Sequence, residues 1–335
     1  MDLPKTLPDA TTADTDTGTG TGISFIIPHK GRVDLLNLTV QSIIKQAKSN
    51  PHLNIDIVIV TQNQSLSLGV SSKDVDLQII ERPESDSISM LRNTGADNSK
   101  GYYLAFTDAD IDLSSNWLEC LIEIIQTDPN TMLASACQSC SETSNSLEKI
   151  RTALSNLAVD TDVEFLPGSN LLLKKDTFIK AGKFPPQLRT CEDYFFTNKV
   201  NEIGRLVYTS KTSFIHLGED KNYTELFKKE TWRGQSNLQS IQGRSISLAE
   251  IPSFIVPLWV FVFTIFSVIS LASIWPTAAL LASALAFGPI AVYTIRLYLL
   301  TKKRIGILNI GVFYCVYFPA RGYGTLLGLI KSITR

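Results

Sequence analysis

Residues 251–295 contain no charged side chain. The stretch divides into "IPSFIVPLWVFVFTIFSVISLASIW" at 251–275 and "PTAALLASALAFGPIAVYTI" at 276–295. A helix needs about 20 predominantly apolar residues to cross a bilayer, and each segment is that long. The pattern predicts spans at about 251–275 and 276–298, with a tight turn at "WPT". The basic cluster "RLYLLTKKR" at 296–304 favours the cytoplasmic side. Residues 305–330 are apolar up to Pro319 and Arg321 and then rich in glycine. That suits an interfacial or partly re-entrant helix, or a third hydrophobic one. Two apolar helices buried in a soluble core are the ordinary alternative, which the segment lengths oppose. Residues 241–335 are therefore read as a membrane region.

The chain before it is of another kind. Residues 1–22 are mostly Thr, Asp and Gly, too polar to offset the entropy of ordering, and are expected to form a disordered tail. Their glycines precede the first strand, where a phosphate-cradling loop cannot lie, and no basic stretch leads into an apolar run as in a signal peptide. From residue 23 to about 240, apolar strands alternate with amphipathic helices: strands at 23–28, 54–61, 77–82 and 102–108, helices at 32–47 and 88–99. This alternation predicts an α/β domain with a doubly wound, mainly parallel sheet. In such sheets ligands bind beyond the carboxyl ends of the strands. The 31 basic and 32 acidic residues nearly cancel, which excludes a nucleic-acid partner bound by bulk charge. Five scattered cysteines suit reduced thiols in a cytosol-like compartment, and "CQSC" at 137–140 lacks a second ligand pair for zinc.

Candidate chemistry begins at "TDAD", where Asp108 and Asp110 follow the strand at 102–108. Downstream lie "GSN" at 168–170, "GKF" at 182–184, "CEDYFF" at 191–196, "FIHLG" at 214–218 and "KKETWRGQSN" at 228–237. With the opening strand ending in Pro28 and "LRNTG" at 91–95, this order resembles the family 2 glycosyltransferases over about residues 23–237. The resemblance implies the GT-A (nucleotide-diphospho-sugar transferase) fold, a nucleotide-sugar donor, a divalent cation, Mn²⁺ or Mg²⁺, and inversion at the anomeric carbon.

It also implies roles. Asp110 resembles the metal ligand of a DxD motif, Asp108 would contact ribose or metal, and His216 resembles a metal-binding histidine, an imidazole suiting Mn²⁺. Asp193 matches the general base that takes the acceptor's proton. Glu192 would orient the acceptor or cap a helix, Gly168 would admit a close backbone approach, and Asn170 and Arg92 would bond the donor. Trp232 and Arg233 lie where related membrane enzymes close over diphosphate and acceptor, although "KETWRGQ" is not the QxxRW box of processive synthases. Two departures stand out. The second strand ends "IVTQNQS" where the family usually has Asp-Asp-Gly-Ser, so Gln62 or Asn63 would read a uracil or guanine edge. "PHKGR" at 28–32 replaces a Pro-x-Tyr-Asn-like pattern, leaving Lys30 or Arg32 to approach the diphosphate.

The expectation is a membrane-anchored, metal-dependent hexosyltransferase with a cytoplasmic catalytic domain on a bacterial-type inner membrane. It would move a sugar from a UDP- or GDP-linked donor to a lipid or lipid-linked glycan in envelope polysaccharide or glycolipid synthesis. The alternative is a catalytically inactive GT-A-like membrane scaffold. A nucleotidyltransferase would need a Gly-rich loop after the first strand, and two spans without acidic residues make a poor transport pathway.

Overall fold

The computed structural model describes residues 22–70, 75–188, 190–237, 248 and 250–333. The expected tail, apart from Gly22, and the expected boundary at 240/241 lie outside the described residues. The elements in chain order are β1 (Gly22–His29), α1 (Val33–Ser49), β2 (Asn54–Thr61), β3 (Asp76–Glu81), α2 (Ile88–Asp97) and β4 (Tyr103–Thr107). Next come β5 (Ile111–Leu113), α3 (Trp117–Thr127), β6 (Thr131–Ser139), α4 (Ser146–Ser155), β7 (Asn170–Lys174) and α5 (Lys175–Lys180). The last are α6 (Glu192–Asn201), β8 (Arg205–His216), α7 (Tyr223–Gly234), α8 (Ile251–Ala272), α9 (Pro276–Leu300) and α10 (Ile307–Ile333).

One sheet runs β3-β2-β1-β4-β7-β6-β8-β5. Its first half is parallel, as the strand and helix alternation predicts. The second half is mixed: β7 is antiparallel to β4 and β6, β6 is parallel to β8, and β5 is antiparallel to β8. The reversal at β7 has a functional consequence. It sets Asn170 opposite Thr107 and lets Asp108 N donate to Ser169 O at 2.9 Å, so the "GSN" segment arrives beside "TDAD".

Alternate residues of β1 serve opposite faces, because side-chain direction flips at each strand position. Phe25 and Ile27 pack with Val40 and Trp117, while Ile26 joins Phe106, Phe178, Phe184 and Phe196. Rings of that aromatic group approach to 4.2 Å between the Phe184 and Phe196 centroids. Burying one phenylalanine contributes about 1.5–3 kcal/mol, and the group fixes α5 and α6 against the sheet.

Helices α8 and α9 are long and apolar enough to cross a membrane. They fold back on each other through Ser273–Trp275, where Ile274 adopts a positive φ of 62°. Leu271, Leu280 and Leu281 point outward. The third hydrophobic segment forms one continuous helix, α10, through Pro319 and its glycines. Tertiary packing overrides the weak local signal. Gly322 lies against the Pro257 carbonyl of α8, and Gly324 and Gly328 lie against the α7 end at Thr231 and Gln235.

Candidate active site

Asp108 and Asp110 sit in the turn between β4 and β5. Asp108 Oδ1 accepts from Arg92 Nη2 at 3.1 Å. Asp110 Oδ2 accepts from Arg32 Nη2 at 2.5 Å, and its Oδ1 lies 3.3 Å from His216 Nε2. The two carboxyls are driven apart electrostatically. Burial and the neighbouring Asp110 charge raise the Asp108 pKa against the pull of Arg92. Burial also opposes ionisation of Asp110, yet its bond to His216 and the charges of His216 and Arg32 hold it below the usual carboxylate range.

His216 ends β8, with Nδ1 3.2 Å from Glu219 Oε2. Burial disfavours its charge, but the Asp110 and Glu219 carboxylates on its two ring nitrogens win and raise it to about 9. The turn after His216 carries glycine for a steric reason: a Cβ on Gly218 would run into the Asp110 carboxylate. Glu219 continues inward to Arg151 at 3.3 Å, and Arg151 reaches Glu230 at 3.2 Å.

The second half of the site is built on Arg92, a buried α2 residue. Its Nη1 donates to Glu192 Oε1 at 2.8 Å, and its Nη2 donates to the Gly168 carbonyl at 3.2 Å as well as to Asp108. The guanidinium lies 5.1 Å from the Phe184 ring centroid. Glu192 and Asp193 open α6 behind Cys191, a non-glycine residue in the left-handed region at φ 62°. Such backbone strain concentrates at functional sites. Burial and the adjacent Asp193 raise the Glu192 pKa against the effect of Arg92. Asp193 Oδ2 accepts from Gly168 N at 3.1 Å, and Oδ1 accepts from its neighbour Tyr194 N at 2.8 Å. A Cβ on Gly168 would stand 3.0 Å from Arg92 Nη2 and 3.1 Å from Asp193 Cβ. Gly168 is thus the close approach that joins Arg92 to Asp193, while the Arg92–Asp108 bond joins the two halves.

A cleft of about 1940 Å³ runs over most of these groups, with Asp110 and Arg32 outside its lining. Lys30, Gln62, Arg92, Asp108, Gly168, Glu192, Asp193 and His216 line it, and Trp232 and Arg233 of α7 reach it from another side. The structure therefore brings most of the residues named from the sequence to one cleft, but several make other contacts than those expected. Asn170 is buried in the sheet, where Oδ1 accepts from Trp117 Nε1 and Ala136 N, so it does not bond the donor directly. Arg92 spends its Nη donors on Asp108, Glu192 and Gly168, so it positions carboxylates rather than holding the nucleotide. Glu192 opens α6 and lines the cleft with one carboxylate oxygen on Arg92. Pro28 is buried within β1.

Asn63 accepts from Gly31 N and donates to Gly31 O, which prolongs the β1–β2 pairing and fixes the loop carrying Lys30 and Arg32. Both ends of its amide are thereby occupied. Gln62 Nε2 donates to Pro83 O and Asp86 O, leaving its carbonyl oxygen as the group able to read a base. Trp232 is 57% exposed, and Arg233 Nη1 donates to Glu230 at 2.7 Å. Gly218, Glu219, Arg151 and Glu230 escaped the sequence reading. The acidic pair after "FIHLG" was their only local signal. Cys137 and Cys140 bond Thr212 O and Thr152 Oγ1 separately and form no disulfide.

Among the described residues, no group of three or more His, Cys, Asp or Glu side chains forms a ready-made metal site. Asp110 and His216 do converge within 3.3 Å, whereas Asp108 turns an oxygen to Arg92. One carboxylate and one imidazole leave most coordination positions open, which fits a cation shared with substrate phosphates rather than a closed structural site.

The parallel half-sheet, the reversed β7 and the acidic turn at its edge define a GT-A glycosyltransferase fold. The solved mannosyltransferase PcManGT from Pyrobaculum calidifontis, determined with GDP-Man and Mn²⁺, superposes with a TM-score of 0.56 at 14% identity, over 93% of this chain and 86% of that one. The model of glycosyl transferase family 2 matches residues 24–191, and the chain belongs to that family. An uncharacterized glycosyltransferase of Haemophilus influenzae is 23% identical over 53% of this chain, a match spanning 61% of that protein. Glycosyltransferase AglE of Haloferax volcanii is 21% identical over 72% of this chain and 80% of its own length.

Proposed function

We propose that the protein is an inverting, metal-dependent glycosyltransferase that moves a sugar from a nucleotide-sugar donor to a lipid or lipid-linked glycan. The observation that carries this reading is the continuous hydrogen-bonded path from Asp108 through Arg92 and Gly168 to Asp193 in one cleft. It holds a carboxylate suited to base chemistry in fixed register with the acidic turn that would receive the donor.

Asp193 is the base. Its oxygens are oriented by two backbone N–H groups, and it takes the acceptor hydroxyl proton as that oxygen attacks the anomeric carbon. The glycosidic bond forms as the bond to the nucleotide diphosphate breaks. Asp110 and His216 would hold Mn²⁺ or Mg²⁺, which supplies Lewis-acid neutralisation of the departing diphosphate. Arg32 and Lys30, on the loop fixed by Asn63, place further positive charge beside that position. The Gln62 carbonyl accepts the imino N–H of uracil or guanine. PcManGT's GDP-Man and Mn²⁺ agree with a GDP-linked donor, although its likeness here is one of fold.

The apolar α8 and α9 support anchoring, with the catalytic domain on the cytoplasmic face of a bacterial-type inner membrane and a role in envelope glycan or glycolipid synthesis. Confinement to the bilayer raises the effective concentration of a lipid acceptor. The inactive-scaffold reading leaves the hydrogen-bonded path from Asp108 to Asp193 without a purpose.

The test is detergent-solubilised protein with Mn²⁺, a panel of UDP- and GDP-sugars and a membrane lipid extract, scored for sugar incorporation and donor hydrolysis. At least one donor is turned over, and Asp193→Asn lowers kcat by about 10²- to 10⁴-fold while nucleotide still binds. If no donor is consumed and Asp110→Ala binds nucleotide as well as the wild type, the enzyme reading fails.

A further inference from the structure

The cleft extends beyond the groups used above, to a wall made by α7 and α10. There the carboxylate of Glu230, 1% exposed, is met by three guanidinium groups: Arg151 at 3.2 Å, Arg233 at 2.7 Å and Arg321 at 2.9 Å. All four residues line the cleft. Arg151 shares its charge with Glu219, but Arg233 and Arg321 have Glu230 as their only carboxylate partner among the described residues. One carboxylate cannot satisfy two guanidinium groups, each with five N–H donors. Among the described residues, positive charge and guanidinium donors beyond those Glu230 can accept therefore face the cleft, organised by a buried anion that is not itself available to a ligand. Trp232 and Tyr317 flank it with aromatic surface.

Location indicates the source of the anion. Arg321 precedes Gly322, whose backbone touches Pro257 and Phe261 of α8, one of the two helices apolar enough to span a membrane. On the other side of Arg321, Phe318 and Tyr314 pack against Tyr293 of α9. The arginine pair thus stands where the cleft meets the apolar helices, within reach of a headgroup whose hydrocarbon remains in the bilayer.

We infer that Arg233 and Arg321, held by Glu230, form an anion subsite that binds the phosphate of a lipid-phosphate acceptor, distinct from the donor diphosphate position at Asp110 and His216. This rests on the glycosyltransferase reading and names its acceptor class. Guanidinium forks match phosphate oxygens in a bidentate fashion.

The test uses the full chain in detergent micelles. Binding of farnesyl phosphate, farnesol, inorganic phosphate, and UDP and GDP with Mn²⁺ is measured by calorimetry for wild type, Arg321→Ala, Arg233→Ala and Arg321→Lys. Glu230 keeps two arginines in each alanine variant, so the fold should survive, and an unchanged unfolding midpoint checks this. Farnesyl phosphate affinity falls about 10- to 100-fold in the alanine variants, as expected for lost charge-assisted bonds, and less in Arg321→Lys, while nucleotide affinity is unchanged in the Arg321 variants. Farnesol binds no better to wild type than to the variants. Equal competition by inorganic phosphate would assign the site to free phosphate and overturn the lipid source. Loss of nucleotide affinity with farnesyl phosphate binding intact would make the arginines part of the donor site and overturn the proposal. Nucleotide binding by wild type separates failure here from failure of the transferase reading.

Discussion

Asp108, Asp110, Asp193 and His216 drew attention through the order of motifs that resembles the family, and the structure sets them at strand or helix ends or in the turn after β4. What the letters do not carry is side-chain direction. Asn170 faces Trp117, Asn63 faces Gly31, and Arg92 faces inward, although all three occupy positions that resemble donor contacts. Gly218 illustrates the same limit, because only the fold brings Asp110 against it. Gly218→Ala should displace the Asp110 carboxylate and lower Mn²⁺-supported nucleotide affinity about tenfold or more, comparable to loss of a charge-assisted interaction. Titration calorimetry with and without metal checks this. His216 gives a pH signature. Its folded pKa, about 9, lies above the ordinary histidine value, so its ion pairs stabilise the metal-free fold fully below about 6.5. That stabilisation is lost as pH rises through about 9. The unfolding midpoint of metal-free protein should fall over this window, with a smaller fall in His216→Gln. Metal binding runs the other way, since coordination requires the neutral ring.

At the scale of elements, the parallel strands and the apolar helices declared themselves through periodicity and length, whereas the packing of α10 did not. Residues 305–330 read as an interfacial, partly re-entrant or third hydrophobic helix, and the structure gives one unbroken helix from Ile307 to Ile333, through Pro319 and three downstream glycines. The glycines are there for packing. Cβ atoms on Gly324 and Gly328 would strike the backbone of Thr231 and Gln235 in and after α7, and one on Gly322 would strike the Pro257 carbonyl. Small residues allow helix backbones to approach in this way. Gly324→Val should therefore force α10 off α7 and cost about 1–3 kcal/mol. Gly288→Val in α9, where a Cβ meets nothing within 4 Å, should leave stability nearly unchanged. Thermal unfolding in one detergent compares the two. If both variants match the wild type, the close α7–α10 contact is wrong.

For the whole molecule, the expected division into an α/β domain and an apolar C-terminal region is a division of sequence more than of packing. Leu147 and Ile150 of α4 and Leu226 of α7 share one apolar cluster with Val260, Ile290, Leu297, Phe313 and Phe318 from α8, α9 and α10. Composition distinguishes two kinds of sequence but gives no sign of this shared core, because contacts between distant segments leave no periodic trace. The same contacts constrain topology. Helix α9 returns toward the side where α8 begins, after the short turn at Ser273–Trp275. Helix α10 then touches α8 at Pro257 and Phe261, α9 at Tyr293, and α7 from Thr231 to Gln235, all near the catalytic domain. A third complete crossing would carry the end of α10 away from α7, yet Lys331 Nζ donates to Gln235 Oε1 at 2.6 Å. The chain should therefore cross twice and return both its catalytic domain and its C-terminus to one face. A reporter fused after Arg335 and one inserted in the exposed 141–144 turn should be labelled from the same side of sealed vesicles. Labelling from opposite sides would require α10 to leave α7, and would remove Arg321 from the cleft with it.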